Sequence, residues 1–254
     1  MKQIPNLFTL LNLVFGCMAI IVTLQGGIVI IVDAEGTQLL DIPEKIWLAS
    51  LFIGLAAVVD FLDGFVARLF KASSEMGKQL DSLADLVSFG VAPGIIIYQF
   101  LRLSLAQEVN GLDAPMVWLL PAVLLPCAAA WRLARFNLDT SQSYSFKGMP
   151  VPAVGITIAS LPLIYWNVNE DWVRAILLNK WFLIGLVAVL SWLMVSTLPL
   201  MALKFKNFSV KDNAPKYLLV LIAVAAFLLL KWLAVPVIVL AYVLISLLFK
   251  NKIA

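Results

Sequence analysis

The stretch DFLDGFVARLFKASSEMGKQLDSLAD, residues 60–85, holds four aspartates: Asp60, Asp63, Asp81 and Asp85. Asp60 and Asp63 stand three apart, and Asp81 and Asp85 four apart, the spacings that put side chains on one face of a helix. A short connection between two such helices makes them antiparallel neighbours, with both pairs facing one seam. Four carboxylates that close cannot all stay ionised without a compensating cation. An all-oxygen donor set suits hard divalent ions such as Mg²⁺, Mn²⁺ or Ca²⁺. Two such ions about 3.5–4 Å apart can clamp a phosphoryl group and stabilise its attacking and leaving oxygens. The chain has no histidine, so acid–base or metal chemistry falls to carboxylates. Gly64, beside Asp63, and Gly77, one turn before Asp81, leave room for a phosphate or a base against the backbone. For any single aspartate, a solvated position at a helix end is the ordinary explanation, and Asp81 also complements a helix dipole. Neither accounts for two pairs at helical spacing with two glycines and Arg68.

The elements that must position these groups are membrane helices. The chain has 254 residues, 63% hydrophobic and 13% charged, with a mean hydropathy of +1.00. Soluble domains carry about 25% charged residues, so an integral membrane protein is expected. A hydrocarbon core of about 30 Å needs roughly 20 apolar residues per helix. Eight runs qualify, some marginally: 7–31, 46–70, 81–103, 115–137, 151–168, 181–202, 215–231 and 233–249. The last two form a tight hairpin if both span. Period-2 alternation of the barrel kind is absent, so helices are the remaining way to satisfy the backbone in lipid. Lys2 precedes an apolar run longer than a signal-peptide core, without a small-residue cleavage site, so this run reads as a permanent span. Cys17 and Cys127 lie in apolar segments without metal-ligand spacing and are expected to be buried free thiols. No internal repeat and no low-complexity segment are evident.

With the N-terminus in the cytoplasm, thirteen basic residues fall on the inner side and five on the outer. The inner set is Lys2, Arg68, Lys71, Lys78, Arg132, Arg135, Lys147, Lys204, Lys206, Lys211, Lys216, Lys250 and Lys252. The outer set is Lys45, Arg102, Arg174, Lys180 and Lys231. That positive-inside bias puts both termini and the aspartates at the cytoplasmic face of the inner membrane.

Asp60-x-x-Asp63-Gly64-x-x-Ala67-Arg68, eight residues, then Gly77-x-x-x-Asp81-x-x-x-Asp85 resembles the complete signature of the CDP-alcohol phosphatidyltransferases, spacing included. The resemblance implies an all-α, polytopic membrane bundle with a six-helix core, commonly a homodimer. The core would span 1–202, with a C-terminal transmembrane hairpin at 203–254 packed on the same bundle. It also implies displacement of CMP from a CDP-linked lipid by an alcohol, with two divalent ions (Mg²⁺ or Mn²⁺, with Ca²⁺ also open). Carried over by position, Asp60, Asp63 and Asp81 bind metal, and Asp85 binds metal and serves as general base. Gly64, Ala67, Arg68, Gly77 and Ser82 would line the CDP-lipid. Thr9 and Asn12, one turn apart on the first helix, either line the nucleotide site or bond across helices.

IPNLFTLLNLVFGCMAI, LDSLADLVSFGVAPG, RLARFN at 132–137 and FKGMPVPA at 146–153 resemble the bacterial-type phosphatidylserine synthases within that family. The implied reaction is CDP-diacylglycerol plus L-serine to phosphatidylserine plus CMP. A zwitterionic acceptor needs a cation for its carboxylate, and arginine can bind one bidentately. Arg135, Asn137 and Lys147 are the expected serine-binding set, with positive-inside anchoring or snorkelling as the other explanation for Lys147 and for Arg132. Lys71 and Lys78 either meet the diphosphate or anchor the helix. The nearest alternative is a sister enzyme using glycerol 3-phosphate, inositol phosphate or choline. A cation-coupled transporter fits poorly, because transporters tend to repeat their elements and break helices at the midplane. Membrane lipids are the expected surroundings, and no nucleic-acid partner is expected.

Overall fold

The computed structural model describes residues 4–32, 36, 38–70, 74–108, 115–139, 145–202 and 209–249; the side chains of residues 4, 38–39, 67–70, 145–146 and 210–212 lie outside that description. Ten α-helices are described within those residues. Helix α1 is Ile4–Gln25, α2 Trp47–Phe70, α3 Glu75–Asp85 and α4 Ala92–Ala106. Then come α5 Leu124–Leu138, α6 Val151–Asn167, α7 Asp171–Leu177 and α8 Lys180–Val195. Helices α9, Val210–Leu230, and α10, Ala234–Leu248, are the last two described.

One turn of π-helix, Leu86–Val91, joins α3 to α4, so residues Glu75–Ala106 form one apolar stretch of 32 residues. Helix α4 is buried around almost its whole circumference, as expected of a central helix. Helices α1, α2, α5, α6 and α8 pack about it and the π turn. Ile53, Phe89, Ile96, Ile97, Phe100 and Ile158 fill the middle. At the π turn the helices meet almost backbone to backbone. A Cβ at Gly16 of α1 would lie 2.3 Å from Ser88 Oγ, and one at Gly155 of α6 would lie 2.9 Å from Phe89 Cβ. Only glycine permits crossings that close.

Among the described residues, four helical stretches are long and apolar enough to cross a membrane: Pro5–Gln25, Glu44–Val66, Glu75–Ala106 and Asn213–Leu248. The pair α7 and α8, bent by 64°, makes a fifth if counted as one span. Helix α6 is apolar but shorter. Asn213–Leu248 is broken at Lys231, whose φ of 48° reverses the chain, and α9 and α10 pack against each other.

Several expectations need correction. The first helix ends at Gln25, and residues Val29–Val32 (β1) pair antiparallel with Gln38–Asp41 (β2). Gly26 and Gly27 end the helix, and the β-branched run that follows favours a strand. A second two-stranded ladder pairs Ser145–Lys147 (β3) with Pro199–Met201 (β4), so the sixth apolar run stops being helical at Val195. The run at 115–137 begins with 3₁₀ turns over Met116–Trp118 and Leu120–Val123, around Pro121, before α5. Cys17 and Cys127 are free but exposed. In a bilayer the protein's exterior is as apolar as its core, so an apolar segment did not imply burial.

Candidate active site

Helix α2 presents Asp60 and Asp63, and α3 presents Asp81 and Asp85, on a seam closed from the third side by α1. Ser74 begins α3 by accepting the Gly77 N–H at 3.0 Å, an N-cap that fixes where the helix starts and therefore which face carries Asp81 and Asp85. Carboxylate oxygens of Asp60, Asp63 and Asp81 lie within 4.8 Å of one another. Asp85 lies against Asp60 and Asp81 on the deeper side. Asp63 and Asp85 are buried, while Asp60 and Asp81 are half-buried.

Helix α1 supplies the neutral donors. Thr9 Oγ1 is 2.9 Å from Asp63 Oδ2, to which it donates. Asn12 Nδ2 donates to Asp85 Oδ1 at 3.1 Å, and Ser88 Oγ donates to the Asn12 carbonyl at 3.0 Å. The close approach at Gly16 and Ser88, one turn along, is what brings Asn12 within reach of Asp85. Thr9 and Asn12 thus bond across helices, and do so to the carboxylates themselves.

The donor set fits a divalent cation. Among the described residues, the ion pairs are Lys147–Asp139 and Lys180–Glu108, and none involves the four aspartates. Asp81 Oδ1 is buried without a hydrogen-bond partner, as is Oδ1 of Asn12, whose amide nitrogen holds Asp85. Clustered carboxylates with an unpartnered oxygen are a hard-cation site by chemistry. Asp60, Asp63 and Asp81 are the residues placed to hold one ion together.

The other expected site residues divide. Gly64 is half-buried directly after Asp63. A Cβ on Gly77 would sit 3.0 Å from Ser74 Oγ and 3.1 Å from Asn6 Oδ1, so that glycine serves the cap and the α1 contact. The side chains of Ala67 and Arg68, and all of Lys71, lie outside the described residues. Ser82 and Asn137 are joined: Asn137 Nδ2 donates to Ser82 Oγ at 2.8 Å, and Lys78 Nζ donates to the Asn137 carbonyl at 2.8 Å. That clamp ties the end of α5 to the start of α3. Arg135 donates to the carbonyls of Val195 and Ser196, both at 2.8 Å, satisfying the end of α8. Lys147 pairs with Asp139 at 2.8 Å. Arg132 is different: it is 5% exposed, its Nε has no partner, and the ring of Phe136 lies 5.8 Å from its guanidinium carbon.

Residues 2–193 match the family model described as CDP-alcohol phosphatidyltransferase. The chain belongs to that family. As a family member it is 35% identical, over 204 residues, to a CDP-diacylglycerol–serine O-phosphatidyltransferase of Mycobacterium leprae. That match covers 76% of this chain and 62% of the relative, so the chain spans less than two thirds of the mycobacterial protein. Proteins of the same name from Bacillus subtilis (33% identical; 65% of this chain, 78% of the relative) and Helicobacter pylori (32%; 86% and 78%) are also similar. The family match ends inside α8, so α9 and α10 lie beyond it.

Two polar residues near the aspartates carry weaker signals in the sequence. Asn12, which holds Asp85, had the signal of a polar side chain in an apolar span, one turn from Thr9. Arg132 had the signal of a charge well inside a helix of similar character. The aspartate motif outshone both.

Proposed function

We propose that this protein transfers the phosphatidyl group of CDP-diacylglycerol to the hydroxyl of L-serine, giving phosphatidylserine and CMP. The observation that carries the proposal is the Asp60–Asp63–Asp81 cluster with Asp85 held beside it by Asn12. The names of its relatives support L-serine as the acceptor.

In this reading Asp60, Asp63 and Asp81, with Asp85, hold two divalent ions. When bound, those ions would neutralise the diphosphate and the charge that develops on departing CMP. Asp85 takes the serine hydroxyl proton as the oxygen bonds to the phosphorus that carries diacylglycerol. The bond from that phosphorus to the bridging oxygen breaks, and CMP leaves with that oxygen. Asn12 fixes the Asp85 carboxylate in one orientation, which matters because a metal-adjacent carboxylate is a weak base that works through position. Gly64 and Gly77, with Arg68 and Ser82, border the CDP moiety. Residues 1–202 form the catalytic unit and 203–254 the hairpin packed on it, as part of a homodimer. The aspartate face is cytoplasmic, in keeping with the distribution of basic residues.

The test is to incubate purified protein with CDP-diacylglycerol, Mn²⁺ or Mg²⁺, and L-serine, glycerol 3-phosphate, inositol phosphate or choline separately, following CMP release. Release dependent on L-serine is expected. Release with glycerol 3-phosphate and none with L-serine would overturn the acceptor and leave the reaction class standing.

A further inference from the structure

Five basic side chains stand at the aspartate end of the bundle among the described residues, and four are engaged. Lys78 donates to the Asn137 carbonyl, Arg135 to the carbonyls that end α8, Lys147 to Asp139 and Lys216 to Asn213 Oδ1. Arg132 has the deepest position of the five. At 5% exposed it is not snorkelling, since a snorkelling arginine keeps its charged head in water. Neither ion pair among the described residues includes it, and Nε is buried without a partner. A buried cation is costly unless it meets an anion, and among the described residues no carboxylate hydrogen-bonds this one.

Its surroundings say which anion it would meet. Arg132 stands within electrostatic reach of Asp85 and of the Tyr242 hydroxyl on α10. Tyr242 donates to the Met201 carbonyl at 2.9 Å, and Met201 N–H in turn donates to Ser246 Oγ at 3.1 Å. Helix α10 is thereby latched to β4. Arg135 adds a second positive charge nearby, and of the four aspartates it is Asp85, the proposed base, whose charge reaches the guanidinium. In a β-hydroxy amino acid the hydroxyl and the carboxylate are separated by two carbons. A cation that takes the carboxylate must stand a few ångströms from the base that takes the hydroxyl proton.

Resting on the serine reading above, we infer that Arg132 binds the acceptor's carboxylate and so selects amino-acid acceptors over alcohols lacking one. Arginine's planar fork matches a carboxylate with two parallel hydrogen bonds.

The experiment compares L-serine with serinol, which keeps the amine and a hydroxyl but replaces the carboxylate with a hydroxymethyl group. kcat/KM for each acceptor and the KM for CDP-diacylglycerol are measured on the full-length wild type, Arg132→Gln and Arg132→Lys. The wild type is expected to favour L-serine strongly. Arg132→Gln is expected to lose at least about 30-fold in kcat/KM for L-serine, the low end for truncating one partner of a buried charge pair. Its serinol turnover and its KM for CDP-diacylglycerol are expected to hold. Arg132→Lys, which keeps the charge and loses the fork, is expected to raise the serine KM with kcat little changed, and it decides the question if the glutamine variant does not fold. Equal losses on both acceptors, a raised KM for CDP-diacylglycerol alone, or an unchanged serine KM in Arg132→Lys would each overturn the inference. A wild type that ignores L-serine would instead sink the acceptor assignment before any variant is made.

Discussion

Two polar clusters are buried at opposite ends of this bundle, separated along α2 by about 20 Å of helix. At one end Asp41, just ahead of α2, accepts from the Tyr165 hydroxyl at 2.6 Å and from the Ile42 N–H at 2.7 Å. Arg174 stands 5.5 Å over the Tyr165 ring, and Phe100 meets the same ring edge-on. At the other end four aspartates share a seam with Thr9 and Asn12, and Asp81 Oδ1, Asn12 Oδ1 and Arg132 Nε have no partner. The first cluster has a donor within hydrogen-bond distance of its acid and joins β2 to α6. The second has more negative charge than its donors can answer. Arg174 Nε at the first end also lacks a partner, so what separates the two ends is the acids: Asp41 is answered by two donors, while four clustered carboxylates pair with no cation among the described residues, and buried polar groups are normally satisfied.

The difference can be broken from either side. The largest effect is expected at the aspartate end. Chelation of divalent ions should abolish CMP release, and re-addition of Mg²⁺ or Mn²⁺ should restore it. Asp85→Asn should lower turnover by about 10²–10⁴-fold, the range for removing a positioned acid–base group. Binding of CDP-diacylglycerol should survive in part, because the Asp60–Asp63–Asp81 triad remains. Turnover that resists a chelator, or a fully active Asp85→Asn, would remove the ligand-site reading of this end.

A smaller effect is expected one contact further out. Thr9→Val keeps the shape and removes the donor to Asp63 Oδ2. Hydrogen bonds that orient metal-binding carboxylates are worth about 10–100-fold in metal affinity or activity. The measurement is the divalent-ion concentration giving half-maximal CMP release, which should rise while turnover at saturating metal changes little. An unchanged midpoint would mean that Thr9 only ties α1 to α2.

How much of this contrast was legible beforehand follows from period and spacing. Asp60/Asp63 and Asp81/Asp85 announced themselves because helical spacing converts directly into a shared face, and the structure unites them. The apolar runs located the helices well where a run ended in polar residues, as at Phe70 and Asn167. They failed where the run outlasted the helix. Val29–Val32 is as apolar as α1 but strand-forming, and β4 sits inside the sixth run. Hydropathy reads transfer to lipid, not backbone conformation. Burial was the least legible property. Within Glu75–Ala106 an apolar window of 18 residues is 56% buried, and within Asn213–Leu248 only 17%, yet the second stretch is the more apolar, because lipid and neighbouring helices reward the same side chains. The Asp41–Tyr165 bond joins residues 124 positions apart, and nothing local in the sequence pairs them.

That last contact gives the smallest prediction and the cleanest control. Tyr165→Phe removes the hydroxyl that Asp41 accepts from and leaves the ring packed on Phe100. Asp41 keeps the Ile42 N–H, so the loss is one hydrogen bond to a charged acceptor, worth about 1.5–3 kcal/mol when buried. Helix α6 carries Tyr165 at the end remote from the aspartates, and its near end meets the π turn through Gly155 and Phe89. A rigid α6 would hold that crossing even with its far end loosened. Tyr165→Phe should therefore lower the thermal midpoint of the purified protein while leaving kcat and both substrate KM values within about twofold, a margin of roughly 0.4 kcal/mol. A fall in kcat without a fall in stability would show the two ends to be coupled through α6, and the division between a pinned end and a working end would then fail.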